Sequence, residues 1–420
     1  MLNDLRVNSG RMLAAFNELA LIGATEAGGV HRPTFSEAHL AARKWFREEI
    51  ERSGLEFHMD EAGNHSAVLP SERSNPSTGA GQAVPTLLLG SHLDSVPGGG
   101  RFDGALGVMA ALEVLRTLRE NKIPLKVRLE AIDFTDEEGT LVGLLGSAAL
   151  AGHLHAELLQ NPRGGRENLV QGMKRAGLTE GGMLGAARPK ESIAGYLELH
   201  IEQGKRLERA GIEIGIVSAI VGIASYRLSF LGRADHAGST TMHDRLDASL
   251  GASAFTLAAR ELVIKDFPNC VVNVGNMQFT PGAFNIVPAQ VDVALEFRAA
   301  EGAEFDVLDA ALIALAQAEA KRFGLDLQPD FRGRHSPTPM SEPVQRAFAE
   351  SCDALGLSHT SLVSGAGHDG QSFAGICPVG MIFVPSVNGT SHSPYEFTKW
   401  EDCVNGANVL LQTVLRLAME

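Results

Sequence analysis

Residues 86–107 read TLLLGSHLDSVPGGGRFDGALG. The opening TLLLG is a short, continuous apolar run, the pattern of a parallel strand covered on both faces. His92 and Asp94 follow two residues apart, so both reach the same side at the strand's end. The glycines after them allow a tight turn that returns Asp103 to the start of a helix, whose periodicity runs through DGALGVMAALEVLRTLRE (103–120). Strand, polar turn and helix in this order predict an open α/β sheet, in which ligands gather at the carboxyl ends of strands.

Working outward, KVRLEAIDF (126–134) and YLELHIE (196–202) read as further strands, and each ends in chemically active residues. The first runs into DFTDEEG, where the adjacent acids Glu137 and Glu138 point different ways and can take different tasks, one on a metal and one on a proton. The second carries His200 in LELHIEQG, and a late loop, GTSHSPYE, carries His392. Together His92, Asp103, Glu138, His200 and His392 form a nitrogen and oxygen set suited to two divalent ions. Asp94 is placed to orient His92, because a ligating imidazole needs its second nitrogen held.

Upstream, Thr34 and Glu37 form a capping-box pattern ahead of the helical stretch AHLAARKWFREEIERSG, with Gly54 at its C-cap. Residues 71–85 read as a Ser-, Gly- and Pro-rich loop. From about residue 213 the pattern changes to alternating strands and two helices, 247–264 and 305–324, with strands at 270–279 and 289–299 between them. This β–α–β–β–α–β order predicts a split βαβ, ferredoxin-like domain inserted into the first. A helix at 343–356, the strand MIFV (381–384) and a helix at 398–418 then complete the first domain. The expected fold is therefore α/β: a catalytic domain of residues 1–212 and 331–420 with a mixed, mostly parallel sheet flanked by helices, plus an inserted α+β domain of residues 213–330. At 420 residues, two cores are the natural division.

Bulk properties exclude several classes. The net charge of −14 argues against nucleic-acid binding. No apolar run has the length of a membrane span, and no signal-type block opens the chain, so the cytoplasm is the expected compartment. Cys270, Cys352, Cys377 and Cys403 contain no CxxC pair, which argues against a disulfide framework or a thiolate zinc site and for buried free thiols. His31, His243 and His335 are read as ordinary surface or core residues.

The stretches GSHLDSVPGGGRFDG, DEEG, LHIEQG, GRADHAGSTTM, PGAFNIVP, LEFRA, GAGHD and SHSPYE occur in order between about residues 90 and 396. In these the chain resembles the M20-type metallohydrolases, in the branch of N-carbamoyl-L-amino acid hydrolases, β-ureidopropionases and allantoate amidohydrolases. The resemblance implies one divalent ion on His92, Asp103 and His200, and a second on Asp103, Glu138 and His392, whether zinc, manganese, cobalt or nickel. It implies Glu137 as general base and His236 as an oxyanion donor reaching a partner subunit's site in a homodimer joined through a lid domain. It places Gln203, His236, Asn285, Arg298, Gly367 and His368 around a small ureido substrate that bears a carboxylate. A fork of guanidinium N–H groups suits that carboxylate. The implied reaction converts an N-carbamoyl-L-amino acid to the amino acid, carbon dioxide and ammonia, with allantoate or β-ureidopropionate as alternative substrates. His200 stands where the peptidase branch commonly has an acid, which argues against an aminoacylase or dipeptidase, and the intact Glu137 argues against a non-catalytic homologue. Ser239-Thr240-Thr241-Met242 departs from the pattern in lacking a proline, but removes no implied catalytic group. The segment 150–194 carries no reading.

Overall fold

In the computed structural model, residues 4–71 and 84–419 are described, and the predicted loop at 71–85 lies almost wholly outside them. The strands are β1 (Glu56–Met59), β2 (His65–Leu69), β3 (Thr86–His92), β4 (Arg128–Phe134), β5 (Ile193–Ile201), β6 (Ile214–Ile220), β7 (Gly222–Leu231), β8 (Val271–Thr280), β9 (Gln290–Ala299), β10 (Asp326–His335), β11 (Thr338–Pro339), β12 (His359–Ser364) and β13 (Val379–Val384). The TLLLG run becomes β3, buried along its whole length, as a strand covered on both faces must be. It pairs in parallel with β4 on one side and β5 on the other, and β13 adds in parallel to β5. The larger sheet runs β1-β2-β4-β3-β5-β13-β6-β11, with β12 also on β6, and its outer strands β1, β2 and β6 pair antiparallel.

Behind β3 lies the helix Ala105–Glu120, buried from Ala105 to Leu118. Its apolar residues Val108, Leu112 and Leu115 join Leu87, Leu89, Leu197, Leu199, Ile382 and Leu411 in one core. This packing fixes the carboxyl ends of β3, β4 and β5 side by side. In β3 and β4, His92 registers with Phe134, so the polar turns that follow both strands start level.

The second sheet runs β10-β7-β9-β8, antiparallel throughout, and the helices Ala248–Asp266 and Gly302–Arg322 share its core through Phe230, Phe255, Phe297, Phe305 and Leu312. Burial alternates along β9, the mark of a sheet with one covered face. The chain divides into two compact units, one of residues up to Ser218, Met340–Leu362 and from Gly367 onward, the other of Ala219–Pro339 with Val363–Ala366.

Two local expectations are corrected. The helix Glu37–Arg52 is capped by Ser36, whose side chain accepts from the His39 amide, not by a Thr34/Glu37 box. Thr34 is instead drawn inward by buried carboxylates. Asp103 stands at the start of the next helix as expected, one residue before its N-cap Gly104, with its carboxylate unspent on capping. Cys377 is partly exposed, while the other three thiols are buried. The segment without a reading forms short helices, Leu145–Ala151, Ala156–Gln160, Arg166–Ala176 and Glu180–Leu184, over a small core of their own with Phe35, Leu141, Leu159 and Met183.

Candidate metal centre

The ends of β3 and β5 deliver His92 and His200 beside the turn that carries Asp103. Asp103 Oδ1 lies 3.0 Å from His200 Nε2 and 3.8 Å from His92 Nε2. Its other oxygen, Oδ2, lies 3.3 Å from His392 Nε2, which is 3.5 Å from Glu138 Oε2. One carboxylate thus faces two groups at once, and the donor atoms within each of the groups His92–Asp103–His200 and Asp103–Glu138–His392 lie within 4.8 Å of one another. A further group of the same tightness, Glu198, His200 and His368, shares His200.

The imidazoles are aimed from behind. His92 Nδ1 lies 3.0 Å from the main-chain oxygen of Asp94, and His200 Nδ1 lies 3.0 Å from the oxygen of Ile201. Donation there leaves each Nε2 lone pair facing forward. The Asp94 carboxylate does not itself make the bond to His92, standing 3.8 Å from Nδ1. Instead it accepts the amides of Glu137 and Glu138, at 3.3 Å each, and its Oδ2 lies 3.1 Å from the Thr34 hydroxyl oxygen, whose single proton goes to the nearer Asp136 Oδ1 at 2.7 Å. Gly104 has a practical reason: a Cβ there would stand 2.4 Å from the His92 ring.

The acidic turn after β4 is held by side chains that its own sequence does not announce. Asp136 has a left-handed backbone, φ 57°, and its buried carboxylate accepts the amides of Leu141, Val142 and Gly143 and the hydroxyls of Thr34 and Thr140. Buried Arg43 pairs with Asp133 at 2.8 Å and donates to Gly63 O, Phe134 O and Thr135 Oγ1. Asp133 in turn accepts the Leu93 amide at 2.8 Å, tying the exits of β3 and β4 together.

Electrostatics follow from this crowding. Burial pushes Glu137 well above the usual carboxylate range, and Asp369, Glu138, Asp103 and Asp94 push it further. Burial and then Asp103 raise Glu138 to about 8. Burial opposes ionisation of Asp103, yet its bonds to His200 and His392 hold it well below the ordinary value. His392 is raised to about 9 by Asp103, and His200 to about 9 because the same partner outweighs burial. His92, buried, falls to about 4 and stays neutral. Carboxyl groups crowded this closely hold their protons, a strain that a cation placed between them would relieve, and hard oxygen and imidazole donors converge from both sides of Asp103. That chemistry fits divalent cations.

Other expected site residues fall in two places. Gln203, with φ 56°, donates its side-chain N–H to Asp103 Oδ2 at 3.0 Å, so it meets the carboxylate shared by both groups. His368 is buried with its ring 4.6 Å from that of His200, and burial lowers its pKa well below the ordinary value. Gly367 precedes it, and Gln371 Oε1 accepts the His368 amide. His236 and Asn285 meet on the second unit, where the Ala237 amide donates to Asn285 O at 3.0 Å and His236 bridges Ile286. His236 Nδ1 accepts the amides of Gly238 and Ser239, which leaves its ring proton on Nε2. Arg298, on β9, places its fork on Glu296 and donates Nη1 to Gly365 O. Thr34, Arg43, Asp136, Glu198, Ser391 and Glu396 join the site without having been expected in it. For the last two a signal was present, since both stand within SHSPYE beside His392.

A mostly parallel sheet whose strand ends and adjoining loops gather imidazoles around a shared carboxylate makes a candidate centre for divalent metal ions. The profile of peptidase family M20/M25/M40 matches residues 88–416, and the chain belongs to that family. Within it, the chain is similar to the N-carbamoyl-L-amino acid amidohydrolase of Geobacillus stearothermophilus, 37% identical over 98% of this chain and 99% of the relative. It is also similar to the allantoate amidohydrolase of Bacillus subtilis, 32% identical over 95% of each chain. Among solved structures it resembles a hydantoinase/carbamoylase-family amidase from Burkholderia multivorans, with TM-score 0.89, 32% identity and 99% of both chains covered. Among the described residues, no helix is long and apolar enough to cross a membrane.

Proposed function

We propose that this protein hydrolyses the C–N bond of a ureido group, with N-carbamoyl-L-amino acids as substrates. The observation that carries the reading is the Asp103 carboxylate, which faces an imidazole pair with one oxygen and the Glu138–His392 pair with the other. His92, Asp103 and His200 would hold one divalent ion and Asp103, Glu138 and His392 another, and zinc, manganese, cobalt and nickel all suit these donors. Such a pair, when bound, lowers the pKa of a shared water and polarises the carbonyl of the substrate.

The chain's own residues do the rest. Glu137 Oε2 lies 3.3 Å from His92 Nε2, beside the donor set rather than behind it. With the charge of Asp103 and Glu138 neutralised, Glu137 can ionise, take a proton from water and return it to the leaving nitrogen. The carbamate that leaves decomposes to carbon dioxide and ammonia. Gln203 holds Asp103 in place next to the substrate, and Gly367 and His368 line the pocket. His236, with Nε2–H free of the two amides that occupy Nδ1, donates to the developing oxyanion. Asn285 and Arg298 take the substrate carboxylate, Arg298 exchanging Glu296 for it.

In the same reading residues 213–330 act as a lid and dimerisation domain on a catalytic domain of residues 1–212 and 331–420, and His236 serves the partner subunit's site in a cytoplasmic homodimer. Two features support a pairing face on the second unit. Leu250, Leu257 and Ile264 stand exposed at seven-residue intervals on one helix, and the edge strand β8 exposes Val271 and Phe279.

The test is ammonia release after the chelated protein is reloaded with each metal. The panel holds N-carbamoyl-L- and D-amino acids, β-ureidopropionate, allantoate, an N-acetyl amino acid and a dipeptide. Turnover led by N-carbamoyl-L-amino acids is expected. A lead by allantoate, whose amidohydrolase is among the relatives, would shift the substrate. Cleavage of the dipeptide or acetyl compound alone would overturn the reading.

A further inference from the structure

Glu396 has no role in the reaction set out above, yet it is buried and fully engaged. Its Oε1 accepts the amides of Phe102 and Asp103 at 2.9 and 3.0 Å, and its Oε2 lies 2.9 Å from the Ser391 hydroxyl. Ser391 immediately precedes His392. Its Oγ also stands 3.2 Å from Asp103 Oδ2, and the side-chain N–H2 of Gln203 reaches both Asp103 Oδ2 and Ser391 Oγ, at 3.0 and 3.1 Å.

The directions of these bonds follow from counting protons. Gln203 has two N–H groups, one for each of its acceptors. Ser391 has a single hydroxyl proton and two carboxylates within reach, and Glu396 is the nearer. With that proton on Glu396, Asp103 Oδ2 keeps lone-pair capacity for a cation. A further observation is independent of the hydrogen bonds. A Cβ on Gly100 would stand 2.0 Å from Glu396 Oε1, although Gly100 is not in the left-handed region. The seat for this carboxylate exists because position 100 has no side chain.

We propose that Glu396 is a positioning residue that clamps the loop of His392 to the turn of Asp103 and so sets the affinity of the Asp103–Glu138–His392 position for its cation. This rests on the two-ion reading of the site. The effect is confined to one position for a structural reason. His92 and His200 sit on strands, each ring fixed by a main-chain oxygen. His392 sits on a loop with φ 53°, its side chain 52% exposed, and depends on that loop for its place.

The test is calorimetric and spectroscopic titration of chelated protein with cobalt(II). Two equivalents bound by the wild type uphold the two-ion reading, and fewer would remove it whatever Glu396 does. Glu396→Gln keeps an oxygen for the two amides but turns an N–H2 toward Ser391, which sends the hydroxyl proton to Asp103. One equivalent should keep its affinity and the other weaken roughly 10–100-fold. Gly100→Ala, which displaces the carboxylate without altering its charge, should give the same split. Should either protein fail to fold, Ser391→Ala, which cuts the link from its other end, decides by the same criterion. Unchanged binding of both equivalents, or equal weakening of both, would overturn the proposal.

Discussion

Replacing Asp136 with Asn isolates one electrostatic element beneath the catalytic turn. Asparagine tolerates the left-handed backbone at φ 57°, so the substitution adds little strain there. It also keeps one carbonyl oxygen for the three donors now on Oδ1: Thr34, Thr140 and the Leu141 amide. What changes is Oδ2, which accepts the Val142 and Gly143 amides at 2.6 and 3.0 Å. An N–H2 in that place faces two N–H donors with no acceptor. Each buried amide left unpaired costs about 1–3 kcal/mol, so the loss is about 2–6 kcal/mol, centred near 4. A loss of that size lowers the melting temperature of the larger unit by roughly 3–10 °C. Because Glu137 and Glu138 follow directly, kcat should fall with the melting temperature while the protein remains folded at 25 °C. Thermal scans of metal-free wild type and Asp136→Asn, with kcat measured on the metal-loaded proteins, check both parts. A melting temperature indistinguishable from wild type would refute the reasoning about unpaired amides.

Three further outcomes follow. Arg43→Met leaves Asp133 buried without its partner and should cost about 3–5 kcal/mol, read as a shift in urea unfolding; a shift near zero would mean that the pair contributes nothing. His65 is pushed down to about 3 by burial and then by Arg43, below its unfolded value. Its neutral form therefore favours the folded state above about pH 6.5, and that advantage is lost as pH falls toward 3. The stability gap between wild type and His65→Gln should thus narrow by about 2 kcal/mol from pH 7 to pH 5; parallel urea curves at the two values would contradict this. Glu137→Gln should retain bound metal while kcat drops about 10²–10⁴-fold, and mixing it with inactive His236→Ala should restore activity through mixed dimers. No recovery on mixing would place His236 in its own subunit's site or outside the reaction.

The parts legible in sequence are those whose cause is local. Burial on both faces writes TLLLG as an unbroken apolar run, and β3 takes that form. The alternation along β7 and β9 marks one-sided burial in the same way. His92, Asp103 and His200 were legible because strand ends and glycine turns advertise themselves, His392 stood out only beside them, in a Ser- and Pro-containing loop, and the structure gathers the donor atoms of all four. Residues defined by distant partners were not. Thr34 looked like a cap, but its hydroxyl meets Asp94 and Asp136, which are 60 and 102 residues away. Nothing in the helical stretch AHLAARKWFREEIERSG sets Arg43 apart from the other cations there, yet it crosses 90 residues to Asp133. Glu198 hid inside a strand run, where nothing separates a buried acid from an ordinary strand residue until the Ser91 hydroxyl is placed on it. The short helices of residues 145–184 are too brief to show a helical period, and they share a core with Phe35 and Ala62 from far upstream in the chain.

The most direct test of the account is turnover of an N-carbamoyl-L-amino acid as metal is returned stepwise to chelated protein, with ammonia and free amino acid both assayed. The account predicts negligible release without metal, a rise that saturates at two equivalents per chain, and equal amounts of the two products. Turnover that survives chelation, saturates at one equivalent, or frees no ammonia would contradict it.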